Sequence, residues 1–263
     1  MASFTGNSIK SVYKDILHTS NSNTGISTTI KQITCGDGDT TALYLSNRNL
    51  KVQPSADTTT NTVIYDADGN ALVTVDSTND LVKAGIGQHN LNTQYSHFGI
   101  GSANSVWAGS SSGTHYAVPF NSIATQALVV GGTGTDPVTS ITISDSADDV
   151  VGSMWYVPDS ITIDRVVWFS GADAATGDTL RCHLMSYDMD TDNGSTGGDL
   201  SNGTVLADGD DITNAGYEQI YYQQMDIQSA DVSANKAILF TFRSDSVNSD
   251  YSVNATIKYH ITG

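Results

Sequence analysis

The stretch Asp66–Gly101, DADGNALVTVDSTNDLVKAGIGQHNLNTQYSHFGIG, decides the reading of this chain. It carries one short pattern twice. Turn chemistry at Asp68-Gly69-Asn70 leads into an alternating run through Leu72 and Thr74, then Leu81 and Lys83, and closes on Gly85-Ile86-Gly87. After a polar interval the chain reads His97-Phe98 and again Gly99-Ile100-Gly101. Each piece reads as a short strand followed by a tight turn. Neither strand has enough apolar residues to bury a face within one chain, and a lone short hairpin is marginal in water. The stretch is therefore expected to be an assembly element rather than an active site. Ile64, Leu72, Val75, Leu81, Val82, Ile86 and Ile100 stand singly among Thr, Asn and Asp, and are expected to meet their counterparts from other copies about a threefold axis.

Composition points the same way. The chain has 263 residues, room for one large domain or two smaller ones. Only 15% are charged, against about a quarter in an ordinary domain. Glu218 is the sole glutamate, and the other acidic residues are Asp. Asp, Asn, Ser, Thr and Gly favour turns and strand ends, whereas Glu, Lys and Leu favour helices. An all-β protein with many turns is predicted.

The net charge of −17 is unevenly placed: 8 acidic and 6 basic residues in 1–135, against 20 and 5 in 136–263. The C-terminal half should repel nucleic acid and anionic membranes. A solubility or salt adaptation is the preferred reading of this charge, with calcium binding as the alternative. Cys35 and Cys182 fall in different expected domains, with no metal-ligand spacing. MASFTGNSIK lacks the apolar core of a signal peptide, and no apolar run approaches the ~18 residues of a membrane span. The chain is expected to be made in a cytoplasm and to stay soluble, without membrane insertion.

Taken in order, residues 7–18 read either as a short amphipathic helix or as an extended arm. Strands are predicted at Thr29–Thr34, Ala42–Ser46, Leu50–Gln53, Thr62–Tyr65 and Ala71–Val75, with Asp68-Gly69 as a hairpin turn. Gly131-Gly132-Thr133-Gly134-Thr135-Asp136-Pro137 reads as a linker. Beyond it, strands are predicted at Val138–Ser144, Gly152–Val157, Ile161–Phe169, Thr179–Tyr187, Thr204–Ala207, Tyr217–Met225, Lys236–Arg243 and Tyr251–Thr262. The expected organisation is a β-rich N-terminal region, 1–130, a linker at 131–137, and an antiparallel β-sandwich of jelly-roll type over 138–263.

Few residues suggest chemistry. Asp188, Asp190, Asp192 and Asp199 occupy positions 1, 3, 5 and 12 of an acidic loop, the oxygen-rich pattern that calcium prefers. The loop glycine is displaced to position 7 and the flanks are strands, so an acidic hairpin open to solvent is the preferred reading and calcium the alternative. No other cofactor is expected. Gly109, Ser111 and Gly113 match a nucleophile elbow, but the flanks supply neither the strand nor the helix that the motif needs. No two histidines share a metal-ligand spacing on one element. Asp208 with Asp210 or Asp211 would be a glycosidase pair, but adjacent residues in one turn do not span a cleft. Tyr217 and Tyr222, with glutamine neighbours, suit a sugar ring or a protein partner, although one face of that strand should be core. No enzyme is expected.

YKDILHTSNSNTGI, GDGDTTALYLSNRNLKVQP and DADGNALVTVDSTNDLVKAGIG resemble virion structural proteins of tailed bacteriophages, marine ones in particular. The resemblance covers roughly residues 10–120 and rests on short, low-complexity motifs. It implies a homotrimer at the virion surface, attached through its N-terminal part to the major capsid protein or other virion proteins, with a β-rich head facing outward. Capsid decoration or head fibre is the preferred placement, because the shaft is brief. A tail fibre binding a host surface glycan is the alternative. The family supplies no catalytic residues.

Overall fold

The computed structural model describes residues 16–19, 25–100, 113–121, 131–142, 147–172, 177–190, 199–215, 219–245 and 251–262. The protein is all-β, with several antiparallel sheets. It divides into two compact units, Met1–Leu91 and Asn92–Gly263.

The first unit contains two four-stranded meanders. One comprises β1 (His18–Thr19), β2 (Lys31–Thr34), β3 (Thr40–Leu45) and β4 (Leu50–Val52). The other comprises β5 (Thr62–Tyr65), β6 (Ala71–Asp76), β7 (Leu81–Ala84) and β8 (His89–Asn90). The helix-or-arm alternative for residues 7–18 lies outside the described residues up to 15; His18 and Thr19 are extended and pair with Thr34 and Ile33. The β5–β6 turn forms where Asp68-Gly69 predicts it. Asp66 Oδ1 accepts the N–H groups of Asp68 at 2.9 Å and Asn70 at 2.8 Å, and Gly69 takes the left-handed conformation that a side chain would strain.

Burial separates the two units. Among the described residues of the first, only Ile33, Thr34, Thr74 and Asp76 are buried. Fully burying one large apolar side chain stabilises by about 1.5–3 kcal/mol, and among the described residues of this unit Ile33 alone brings that. The second unit buries Phe98, Trp168, Leu180, Leu184, Phe240 and Phe242 completely or nearly so.

The second unit runs β9 (Thr93–Ile100), β10 (His115–Val118), α1 (Ala147–Ser153), β11 (Trp155–Val157), β12 (Ile161–Ala172), β13 (Thr179–Met189), β14 (Leu200–Asp208), β15 (Ile212–Thr213), β16 (Gln219–Gln224), β17 (Asp226–Ile227), β18 (Asp231–Val232), β19 (Lys236–Ser244) and β20 (Tyr251–Ile261). One sheet has the order β10-β19-β13-β14-β17, with β11 on β19 and β15 on β13. The other has the order β16-β12-β20-β9, with β18 on β12. Alternation aims Phe240 and Phe242 of β19, and Val253, Ala255 and Ile257 of β20, into one core shared by both sheets.

Five expectations are corrected here. The unit boundary lies at Leu91/Asn92, not at 131–137, because β9 and β10 are members of the second unit's sheets. Phe98 and Ile100 are buried in that unit's own core, so Ile100 is not available to a threefold axis. The glycine-rich segment is packed rather than free: Gly131 and His115 exchange backbone hydrogen bonds with their neighbours on the two segments (Gly131 N to His115 O, 2.7 Å; His115 N to Gly132 O, 2.8 Å). Gly131 and Pro137 are buried. A second apolar cluster, built on Met185, Tyr187, Ala237 and Leu239, lies on the outer face of the larger sheet and is joined by Ile141 and by Val150 of α1; beside it Tyr187 Oη donates to the Val138 carbonyl just beyond the glycines. The strand predicted at Val138–Ser144 reduces, among described residues, to a single bridge from Ile141 to Leu200. The one predicted at Gly152–Val157 begins only at Trp155, after α1.

Candidate functional sites

The β5–β8 sheet has its faces reversed. Directly opposed residues of an antiparallel pair share a face. Ile64, Val73 and Ala84 therefore stand together, next to Thr62, Val75 and Val82. On this apolar face Ile64 is 55% and Val82 38% exposed, with Val73, Val75 and Ala84 half-buried, while on the other face Leu72 is 40% exposed and Leu81 half-buried. The opposite face carries Thr74 and Asp76, and these are buried. Asp76 accepts hydrogen bonds from the Asn79 amide and from Lys83 Nζ at 2.9 Å, which lower its pKa to about 2.

The structure thus brings Ile64, Val75 and Val82 to one face of this sheet. Leu72 and Leu81 lie on the other face, and Ile86 is 78% exposed at the β7–β8 turn. Sequence reading missed a second outward apolar set on the other meander, where Leu43 opposes Val52 and Leu45 opposes Leu50. Leu43, Leu50 and Val52 are all exposed.

A polar cluster lies on the outer face of the larger sheet of the second unit. Cys182 and Leu184 point into the shared core, so Arg181 and His183 point outward. Register brings Asp208 opposite His183, and sets Arg243 of β19 between His115 and Arg181. The covering segment adds Asp136. His183 Nε2 lies 3.0 Å from Asp208 Oδ1 and 3.5 Å from Asp136 Oδ1. Neither contact is in hydrogen-bonding alignment, and both His183 ring nitrogens are buried without a hydrogen-bond partner. His115, also fully buried, sets its ring edge-on to His183 at 4.9 Å and directs Nε2 to the carbonyls of Gly134 at 3.1 Å and Thr135 at 3.2 Å. Arg181 grips Asp208 (Nη2–Oδ2 2.6 Å, Nε–Oδ1 3.2 Å) and reaches Asp211 at 3.5 Å.

Burial lowers the pKa of both histidines, that of His183 to about 4; the His115 and Arg181 charges add to this for His183, while Asp208 and Asp136 oppose it. Both rings are therefore neutral at pH 7. Among the described residues, Asp136, His183 and Asp208 are the group whose metal-ligating atoms lie within 4.8 Å of one another.

The other expected sites fare differently. Asp188 is engaged by Lys236 Nζ and by Asn202 Nδ2, which hold its pKa down. Asp190 N donates to Asp199 O at 2.9 Å, closing the β13–β14 hairpin, while Asp192 lies outside the described residues. Tyr217 also lies outside them. Tyr222 is 52% exposed, packs on Phe169 at 5.2 Å and accepts from Arg165 Nη2 at 3.0 Å. Phe169, Gly171, Ile220, Ser252 and Asn254 line a shallow groove of about 340 Å³ beside it. Gly109 and Ser111 are outside the described residues, and the Gly113 carbonyl accepts from Arg243 Nε. Asp208, one half of the glycosidase pair, is committed to Arg181. No family model matches this chain, and no curated protein sequence matches it.

Proposed function

We propose that the chain is a structural protein of a phage virion surface, a homotrimer joined through its first unit and displaying the second. One observation carries this reading: the β5–β8 sheet buries Thr74 and Asp76 and leaves Ile64, Val73, Val75 and Val82 outward. A sheet face of this kind is stable when an apolar partner covers it. A second copy fits best. The face itself carries no charge, and Met1–Leu91 holds 8 acidic and 6 basic residues, so copies of this unit scarcely repel. The second unit holds 20 acidic against 5 basic residues and favours outward display over close packing. Three copies about an axis close such a contact without leaving a free face. The facing strand orders β9-β20-β12-β16 and β10-β19-β13-β14 support a jelly-roll reading of the head. The reading assigns the chain no reaction.

Gold-conjugated antibody against the purified chain tests the location. Label on particle heads supports capsid decoration, label confined to tails supports the fibre alternative, and unlabelled particles contradict both. The exposed Phe169–Tyr222 pair beside the groove favours a second reading, capture of a host surface glycan. A glycan array silent to the whole protein would remove it.

A further inference from the structure

We infer that Asp136, His183 and Asp208 form a binding site for one late first-row divalent cation of the zinc class. Three acceptor atoms from three separate segments converge on one point. A tetrahedral site with metal–ligand bonds of about 2.0–2.2 Å places its ligand atoms roughly 3.3–3.6 Å apart. The 3.5 Å from His183 Nε2 to Asp136 Oδ1 is of this size, the 3.0 Å to Asp208 Oδ1 is slightly shorter, and all three ligand atoms lie within 4.8 Å of one another.

His183 supplies the independent observation. Its ring is fully buried, and Nε2 is aimed between two carboxylates without hydrogen-bonding either. A buried polar atom left without a partner is costly, and a cation bound to its lone pair removes that cost. The imidazole nitrogen selects the metal: calcium and magnesium prefer oxygen alone, whereas zinc accepts a mixed nitrogen and oxygen set.

The surroundings fit this role. Arg181 occupies Asp208 Oδ2 and one lone pair of Oδ1, orienting the carboxylate while leaving the other Oδ1 lone pair toward His183. Asp211 offsets the Arg181 charge. His115 is a positioning residue. Its bonds to the Gly134 and Thr135 carbonyls fix the turn that brings Asp136 over His183. Three protein ligands leave a fourth position for water. The ion would pin the 131–137 cover to the sheet, a structural use independent of the trimer.

The test is titration of the EDTA-stripped whole protein with ZnCl2 alone by calorimetry, with metal content measured after dialysis. One zinc ion per chain is expected, with no displacement by equimolar calcium or magnesium. Asp136→Asn changes a side chain that is 60% exposed on a turn and leaves folding intact; it should weaken zinc binding at least tenfold. His183→Gln should abolish stoichiometric binding, and Asp188→Asn should leave it unchanged. The cobalt form should show the visible absorption of a four-coordinate ion, and lose it in Asp136→Asn. Absence of stoichiometric zinc, or equal affinity in Asp136→Asn, would make the cluster a packing contact only and overturn the inference.

Discussion

Asp76 and Lys83 form an ion pair of 2.9 Å on the buried face of the β6–β7 hairpin, with the Asp76 side chain wholly covered and Lys83 Nζ partly so. Hydrogen bonds from Asn79 and Lys83 hold the Asp76 pKa at about 2, below its ordinary 3.8. A carboxylate with a lowered folded-state pKa contributes stability above its unfolded value, and loses it as pH falls through the folded one. Asp76→Asn should therefore lower the urea midpoint of the first unit at pH 7, and the gap to the native protein should shrink between pH 4 and pH 2 (roughly the two pKa values). A gap of equal size at pH 7 and pH 2 would contradict this role.

Gly203 marks the place where the covering segment crosses β14. A Cβ there would stand 2.6 Å from Tyr187 Cε1 and 2.8 Å from Thr139 Cα, and the Gly203 N–H already donates to the Thr139 carbonyl. Gly203→Ala should cost ~1–3 kcal/mol in denaturant unfolding of the second unit. Ser201→Ala on the same strand should change it by less than ~0.5 kcal/mol. Equal stability of the two variants would mean that the cover does not pack as described.

The second unit needs its early strands. A fragment beginning at residue 92 should give a cooperative thermal transition by circular dichroism. One beginning at residue 138 loses β9, β10 and the Gly131–Pro137 cover, uncovering β20 along Val253–His260 and β19 along Phe240–Arg243. It should give no cooperative transition. Two fragments of equal cooperativity would move the boundary back toward the glycines.

Much of this was legible in the residues. Strands such as β19 and β20 announce themselves because apolar residues recur at every second position (Ile238, Phe240, Phe242; Val253, Ala255, Ile257), and Asp68-Gly69 fixes a hairpin by local turn chemistry. The boundary was not legible. Gly131–Pro137 has the same composition whether it floats or packs, and what packs it is His115, sixteen residues before Gly131 and joined to it through the sheet. Helix α1 (ADDVVGS) is short and lacks a basic last turn, so little in its sequence opposed the strand expected there. The His183 cluster was invisible because its ligands come from β13, β14 and a covering turn, with no local spacing. The one available signal was a histidine between Cys182 and Leu184, placed by alternation on the face opposite the shared core.

The outward face of the β5–β8 sheet can be tested directly by light scattering on the whole chain. Val75 and Val82 oppose each other at its centre, and neither is fully buried. The native chain should elute with a mass near three times 27.8 kDa, and the fragment 92–263 should elute as a monomer. Val82→Asp should dissociate the trimer while the second unit keeps its thermal transition, because a charge on that face must be desolvated in every copy. A native chain that runs as a stable monomer, or a Val82→Asp variant that stays trimeric, would contradict self-association through this face.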